Sequence, residues 1–383
     1  MDIKAIGKYA SKMKTHRLEP KEPQETYKRA IVIPACAELE FLPETLQSLK
    51  QNPKELLDKT LVIVVVNNSV DSPDEKKSQN LRMLEDFRKR NHPDNFYWID
   101  LASPGKEIDA KGGVGAARKA GMDTALKYLA KEDDALIFSL DADTLVEKNY
   151  ISSGMEYFRD NPKSPGAVFS FAHRKCEDDA TGRAITLYES YIRDYADRLK
   201  NAGSPYGYHV LGSAIACRAS AYIRCGGMRE RNGGEDFYFL QALRKLGVIG
   251  EITSSTVHPS ARPSDRVPFG TGPRVREIAE NGTLAFHNPV IFDLLHIFLK
   301  HVNGLSVDEM LEPENLAPTS IPEEMKSFLE KHEFADAWKN IVRNTPHEKK
   351  RLMDAFNWWF DAFRTLKFVH YCENEFSGKY PKV

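Results

Sequence analysis

The stretch Ala135-Leu136-Ile137-Phe138-Ser139-Leu140-Asp141-Ala142-Asp143-Thr144 decides the fold. Its apolar first half predicts a buried strand, and open α/β sheets bind ligands at the carboxyl ends of such strands. Because residues i and i+2 of an extended chain point to the same side, we expect Asp141 and Asp143 to converge on one point. Two carboxylates at one point suit Mg²⁺ or Mn²⁺, since these hard cations take oxygen ligands. The alternative is a solvated turn that holds no ligand.

Two other apolar runs precede this stretch. They are Ala30-Ile31-Val32-Ile33, which ends at Pro34-Ala35 and Glu38, and Leu61-Val62-Ile63-Val64-Val65-Val66, which ends at Asn67-Asn68. A helix is predicted between them, and strand, helix and strand in this order are typical of a parallel sheet. The polar ends of both runs therefore belong at the same sheet edge as the two aspartates.

Composition and charge narrow the class of protein. The chain has 383 residues, 41% of them hydrophobic and 28% charged, with a formal net charge of -1, so we expect a globular protein that does not bind nucleic acid. No apolar run reaches the ~18 residues that span a bilayer, so we expect no transmembrane segment. The five cysteines contain no Cys-x-x-Cys pair, which argues against disulfides and structural zinc. We expect a cytoplasmic protein.

A glycine-rich segment precedes the next predicted helix. It contains Gly105, Lys106, Lys111, Gly112, Gly113 and Gly115. A glycine-rich turn that opens a helix offers free N–H groups and the positive end of the helix dipole, which suit an anion. Lys111 is therefore a candidate substrate-binding residue. A bend that is needed for tight packing is the alternative.

These segments and two later motifs follow one another in a fixed order over about residues 29–260. The set is Pro34-Ala35 with Glu38, Asn67-Asn68-Ser69, the Lys111–Gly121 segment with Arg118, Asp141-Ala142-Asp143, Gly212-Ser213 before Gly226-Gly227, and Glu235-Asp236. The set resembles family-two glycosyltransferases of the GT-A fold. The resemblance implies an α/β fold whose mostly parallel sheet is sandwiched by helices, a nucleotide-diphospho-sugar donor and a divalent metal, Mn²⁺ or Mg²⁺.

The resemblance also implies roles for single residues. The implied donor-binding residues are Pro34, Ala35, Glu38, Asn68, Arg118 and Asp141, and Gly212 is a further candidate substrate-binding residue. Asp143 would be a metal ligand together with Asp141. Asp236 would be the catalytic base, with Glu235 beside it, although acids in a first helical turn also serve stability alone. Asn67-Asn68 stands where the family commonly has two aspartates, which leaves the base of the donor open, because an amide both donates and accepts.

The proposed chemistry follows from the charges of the reaction. A departing nucleoside diphosphate carries about three negative charges that a metal disperses, and a carboxylate must take the proton of the acceptor hydroxyl. A single displacement by that hydroxyl inverts the sugar. A retaining GT-A transferase, a sugar-1-phosphate nucleotidyltransferase and a non-catalytic sugar-nucleotide-binding protein are the alternatives.

A long irregular segment, residues 256–274, follows the acid pair. It contains four prolines, three arginines and a histidine. Long irregular loops in compact domains are more often functional than not. We hypothesise a lid in which Arg262 or Arg266 pairs with the diphosphate and His258 is a third protein ligand of the metal. A surface histidine is the alternative for His258.

The chain divides into three predicted regions. We expect a leader over 1–28, a catalytic domain over 29–274 and a helical C-terminal extension over 275–383. Within the catalytic domain, residues 29–143 are expected to bind the nucleotide, and residues 144–274 to bind the acceptor and carry the lid. The extension has an aromatic stripe on a predicted helix near 347–370, formed by Leu352, Phe356, Trp359, Phe363 and Leu366. We expect this helix to pack over the catalytic domain, and a homodimer seam or an acceptor-binding surface is the alternative.

Overall fold

The computed structural model of the chain describes residues 9, 11, 13–131, 135–176, 178–262 and 270–383. The chain forms two units. The first comprises residues 1–189 and 210–283, and the second comprises residues 190–209 and 284–383. The domain bounds expected from the sequence stay a prediction.

The described part of the first unit contains a sheet of eight strands. The strands are β1 Arg29–Ala35, β2 Thr60–Asn67, β3 Phe96–Leu101, β4 Leu136–Ser139, β5 Leu145–Val146, β6 Gly166–Phe171, β7 Ile215–Arg218 and β8 Ile249–His258. Their order across the sheet is β3-β2-β1-β4-β7-β6-β8-β5. The strands β3, β2, β1 and β4 run parallel, as do β6 and β8, whereas β7 and β5 run antiparallel to their neighbours. The carboxyl ends of β1, β2 and β4 therefore lie at one edge.

Helices cover both faces of this sheet. The helices up to residue 283 are α1 Leu42–Leu49, α2 Lys54–Leu57, α3 Asp74–Lys89, α4 Gly113–Leu126, α5 Tyr150–Asp160, α6 Asp179–Asn201, α7 Ala219–Arg224, α8 Glu235–Arg244 and α9 Thr271–Asn281. Helix α4 packs so closely on one face that a Cβ at Gly121 would lie 2.3 Å from Val32 Cγ1. Helix α5 packs on the other, where a Cβ at Gly154 would lie 2.5 Å from Phe138 Cε1. The predicted GT-A type α/β fold class is confirmed.

The aspartate motif does not continue β4. The strand ends at Ser139, and a turn follows in which the N–H of Thr144 donates to the carbonyl of Asp141 at 3.2 Å. The hydroxyl of Thr45 in α1 donates to the carbonyl of Ala142 at 2.8 Å and holds this turn. The expected extended backbone is therefore replaced by a turn at these residues, and the convergence of the two carboxylates on one point stays a prediction.

The second unit is helical. Besides the end of α6 it contains α10 Pro289–Gly304, α11 Val307–Met310, α12 Pro313–Leu316, α13 Glu323–Lys331, α14 Phe334–Arg343, α15 Lys349–Trp359 and α16 Ala362–Glu375. Its core is aromatic, with Phe298, Phe328, Trp338, Phe356 and Phe368 fully buried. This confirms the predicted helical extension. Across the described residues, every helix falls short of the length and apolar character that a transmembrane span requires.

The predicted helix near 347–370 is two helices. Helix α15 ends at Trp359, and α16 begins after Asp361, whose Oδ1 accepts from the N–H of Arg364 at 3.0 Å. The prediction of one continuous helix was wrong because Asp361 is an N-cap, a role that the apolar periodicity does not show. Phe356 and Trp359 lie in the core of the second unit. A homodimer through these helices stays a prediction.

Candidate active site

A cavity of about 430 Å³ lies at the carboxyl ends of β1, β2 and β4. Most of the residues singled out from the sequence line it: Pro34, Glu38, Asn68, Arg118, Asp141, Asp143, Gly212, Glu235, Asp236 and Arg262. Three others do not line it. Ala35 is buried within β1, Lys111 is exposed before α4, and His258 ends β8. Arg266 lies outside the described residues.

Arg118, in α4, is the centre of one ion-pair cluster. Its side chain is 3% exposed, and its Nε donates to Glu235 Oε1 at 3.0 Å. Its Nη1 donates to Ser139 Oγ at 2.6 Å and to the carbonyl of Gly212 at 3.1 Å, and its Nη2 donates to Asp141 Oδ1. Burial alone would lower the pKa of Arg118, but Asp141 and Glu235 raise it above its ordinary value. The guanidinium therefore stays charged and joins four segments of the chain.

Gly212 is required by the same cluster. A Cβ at this position would lie 2.4 Å from Arg118 Nη2, closer than atoms approach without a shift. The sequence predicted that Gly212 is a substrate-binding residue. The structure places its carbonyl on Arg118 while the residue also lines the cavity.

Arg262 is the centre of a second cluster. Its Nη2 donates to both carboxylate oxygens of Glu38, at 2.6 Å for Oε1, and to Asp143 Oδ2 at 2.9 Å. Its Nε donates to the same Asp143 Oδ2 at 3.2 Å. The guanidinium carbon lies 3.8 Å from the centre of the Phe41 ring, a cation–π contact. Sequence reasoning missed Phe41, because an aromatic residue before a helix carries no signal of this kind.

The acid pair at the start of α8 is held by a glycine turn. Gly233 and Gly234 have φ angles of 107° and 68°, in the left-handed region that favours glycine, and they aim Glu235 and Asp236 into the cavity. Burial and the charge of Asp236 raise the pKa of Glu235 to about 7, although Arg118 opposes this. Burial also raises the pKa of Asp236, against the effect of Arg118. Both carboxyl groups thus hold a proton more tightly than free acids do.

The glycines in the first turn of α4 serve close packing in this structure. A Cβ at Gly113 would lie 2.4 Å from Asn232 Oδ1, and one at Gly115 would lie 2.5 Å from the carbonyl of Arg229. The N–H of Gly115 donates to the carbonyl of Arg231 at 3.0 Å. These contacts favour the packing alternative over an anion site, because they fix the loop that leads to the acid pair.

A chain of hydrogen-bonded amides reaches the cavity at Asn67 and Asn68. The N–H of Ala37, a residue with φ of 56°, donates to Asn80 Oδ1 at 2.8 Å. Asn80 Nδ2 then donates to the carbonyl of Asn67 and to Asn68 Oδ1, each at 2.9 Å. Sequence reasoning missed Asn80, which occupies an ordinary position in α3 but is fully buried.

His173 is another cavity residue that the sequence did not indicate. Its ring Nδ1 lies 2.7 Å from Glu189 Oε1, and its side chain is buried. Because a carboxylate only accepts, Nδ1 donates to Glu189 Oε1. Nε2 is buried and has no hydrogen-bond partner among the described residues.

The described residues contain no group of three or more His, Cys, Asp or Glu side chains placed to hold a metal ion. His258 Nδ1 lies 3.1 Å from the carbonyl of Ala172, and Nε2 lies 3.7 Å from Glu147 Oε1. The metal-ligand role of His258 stays a prediction. Burial and the negative charge of Asp141 raise the pKa of Asp143, so the two carboxylates lie close enough to repel each other. Two such carboxylates are the kind of ligand that a divalent cation takes, and this role also stays a prediction.

The chain thus combines an α/β sheet with an acid-lined cavity at the carboxyl ends of its parallel strands. We compared the sequence and the structure with those of known proteins. No protein-family model matches the sequence, and no curated protein matches it. Among solved structures, TarS 1–349 from S. aureus in complex with UDP-GlcNAc is 13% identical, with a TM-score of 0.42, over 86% of this chain and 91% of that chain. Mannosyltransferase PcManGT from Pyrobaculum calidifontis in complex with GDP-Man and Mn²⁺ is 16% identical, with a TM-score of 0.41, over 94% of this chain and 95% of that chain.

Proposed function

We propose that this protein is a glycosyltransferase that moves a sugar from a nucleotide-diphospho-sugar donor to an acceptor hydroxyl. One observation carries the proposal: a single cavity combines the buried acid pair Glu235 and Asp236 with the strand-end acids Asp141 and Asp143. The transfer of a sugar needs both a group that takes a proton and a place where negative phosphates are neutralised.

Asp236 is the proposed general base. It lines the cavity, and its backbone position is fixed at the N-terminus of α8, where its Oδ1 accepts from the N–H of Phe237 at 2.8 Å. The raised pKa of its carboxyl group makes it a stronger base than an exposed aspartate. Asp236 would accept the proton of the acceptor hydroxyl as the new bond forms. Attack by this hydroxyl in one step would invert the sugar.

Asp141 and Asp143 are the proposed ligands of a divalent cation, Mn²⁺ or Mg²⁺. Such ions are commonly held by one or two carboxylates, with phosphate oxygens and water as further ligands. When bound, the cation would neutralise negative charge on the departing diphosphate. The chain itself also supplies positive charge here, because Arg262 lines the same cavity and a guanidinium pairs well with phosphate oxygens.

The nucleoside is proposed to bind at the amide end of the cavity. Pro34, Asn68, Ser69 and Ile108 line this end, and they combine apolar surface with hydrogen-bonding groups. A base and ribose need both, whereas the acid-rich end is unsuitable for an uncharged ring. The sugar and the acceptor would then lie towards Asp236 and His173.

Hydrolysis and transfer assays test the proposal. The protein is incubated with Mn²⁺ and a panel of UDP-, GDP-, CDP- and ADP-sugars, and the release of nucleoside diphosphate is measured. We expect release with at least one donor. Asp236→Asn should lower the turnover about 10²–10⁴-fold, the typical contribution of a general base, and leave the affinity for the donor nearly unchanged.

Glu230→Gln is the matched control for this variant, because Glu230 is an exposed acid on the loop before the acid pair. It should keep full turnover. A protein that neither binds nor turns over any member of the panel would contradict the proposed function. An Asp236→Asn variant with unchanged turnover would remove Asp236 from the mechanism.

A further inference from the structure

We propose that Arg262 is an internal counter-ion that competes with the divalent cation for Asp143 and gives way when the donor diphosphate binds. This inference rests on the proposed function, which supplies the cation and the diphosphate. Arg262 would thereby determine how tightly the protein holds a metal without a nucleotide.

Arg262 occupies a carboxylate oxygen of Asp143 that a metal ion would otherwise use. Both Nε and Nη2 of Arg262 donate to Asp143 Oδ2, at 3.2 and 2.9 Å. An oxygen that accepts two N–H groups of a guanidinium has no lone pair left for a cation. A divalent cation on Oδ2 would also stand beside a fixed positive charge. The two cations therefore exclude each other at this oxygen.

Glu38 is the partner that the guanidinium of Arg262 would keep when its contact with Asp143 breaks. The side chain of Glu38 is 3% exposed, and Arg262 Nη2 contacts both of its oxygens, at 2.6 Å for Oε1. The contacts to Asp143 are longer than this one. Phe41 supports the guanidinium through its ring at 3.8 Å. A small rotation about the Glu38 contact would release Asp143 while Arg262 keeps a buried partner.

A diphosphate supplies the force for this rotation. Guanidinium groups bind phosphate oxygens through two parallel hydrogen bonds, and these are among the stronger hydrogen bonds in proteins. A diphosphate in the cavity would attract Arg262 and at the same time offer oxygen ligands to the cation. By linkage, the nucleotide then raises the affinity for the metal, and the metal raises the affinity for the nucleotide by the same factor.

Direct binding of Mn²⁺ tests this inference without any turnover. Free Mn²⁺ is measured by electron paramagnetic resonance in titrations of the full chain, first with Mn²⁺ alone. We expect Arg262→Gln to bind Mn²⁺ about tenfold or more tightly than the wild type, within the usual range of coupling between sites. Equal or weaker binding by Arg262→Gln would overturn the inference.

Two further variants serve as an independent test and as a control. Phe41→Leu removes only the ring under the guanidinium, so it should raise the Mn²⁺ affinity about two- to fivefold, as the modest energy of a cation–π contact implies. If Arg262→Gln does not fold, an unchanged or reduced affinity of Phe41→Leu overturns the inference. Arg174→Gln is the control, because Arg174 pairs with Glu44 at 2.8 Å and does not line the cavity. Its Mn²⁺ affinity should equal that of the wild type.

A second titration includes the nucleoside diphosphate that the wild type binds best. In the wild type, the nucleotide should raise the Mn²⁺ affinity at least tenfold more than it does in Arg262→Gln. An equal rise in both proteins would overturn the inference. Binding of no nucleoside diphosphate would count against the proposed function, whereas the titrations with Mn²⁺ alone would still decide the role of Arg262.

Discussion

The two arginine clusters of the cavity use the same groups in different ways. Arg118 is 3% exposed and contacts two carboxylates, a hydroxyl and a backbone carbonyl. Arg262 is 24% exposed, and Glu38 and Asp143 are the two carboxylates that it bridges. A buried guanidinium whose donors serve several segments is part of the framework. One that joins two carboxylates at the cavity surface is able to exchange one of them for a ligand.

The largest expected effect is a difference in unfolding free energy between variants of the two clusters. Arg118→Met leaves Glu235 and Asp141 without a buried partner, so we expect it to lower the free energy of unfolding by about 3–5 kcal/mol. Arg262→Gln should cost less, because the side chain of Arg262 is 24% exposed, against 3% for Arg118. Urea unfolding followed by circular dichroism measures both. Equal losses would show that the two clusters are equally structural, and Arg159→Met, at an exposed ion pair, should change little.

The next effect concerns pH. The pKa of Glu235 is about 7 in the folded chain, against an ordinary value of 4.5. Between these values the folded state holds a proton that the unfolded state has released, so stability falls as pH rises. We expect the difference in unfolding free energy between wild type and Glu235→Gln to fall by on the order of 3 kcal/mol from pH 4.5 to pH 7.

A series of urea titrations between pH 4 and pH 8 measures this difference. It should level off only at the upper end of this range, where Glu235 is mostly ionised in both states. A difference that stays flat over the whole range would mean that Arg118 fully compensates the burial of Glu235.

The smallest expected effect is the loss of stability caused by a substitution that perturbs the Arg118 cluster without removing a charge. Gly212→Ala places a Cβ 2.4 Å from Arg118 Nη2, so the guanidinium must shift. We expect a loss of about 1–3 kcal/mol, the usual cost of overpacking. Gly182→Ala in α6 is the control, because its Cβ would meet only the carbonyl of Cys176 at 3.6 Å, an ordinary contact. If both variants were equally stable, the cluster would be less rigid than its contacts indicate.

Local sequence patterns predicted the frame of the cavity. The apolar runs located β1, β2 and β4, and parallel topology placed their polar ends at one edge. This succeeded because strands and their ends depend on neighbouring residues. The direction of Asp141 and Asp143 was not predictable in this way, because a hydroxyl from Thr45 holds their turn and lies 97 positions away.

The ion-pair partners of the charged groups were also not predictable from the sequence, because they lie far apart along the chain. Arg118 and Glu235 are 117 positions apart, and Arg262 and Glu38 are 224 positions apart. No periodicity indicates which of the chain's 54 basic residues meets which of its 55 acids. The resemblance assigned Arg118 to the donor, and that role stays a prediction, while its contacts in the structure are to the protein.

The amide chain at the far end of the cavity gives Asn68 a fixed hydrogen-bond polarity. A peptide N–H cannot accept, so Ala37 dictates which end of the Asn80 side chain faces it, and Asn80 in turn dictates the orientation of Asn68. Asn68 must then turn its NH₂ group away from Asn80, where one contact reaches the carbonyl of Ser69 at 3.3 Å. A ligand atom that approaches this group needs a lone pair. The loop after β1 thus selects ligand chemistry at a distance, without contributing any charge.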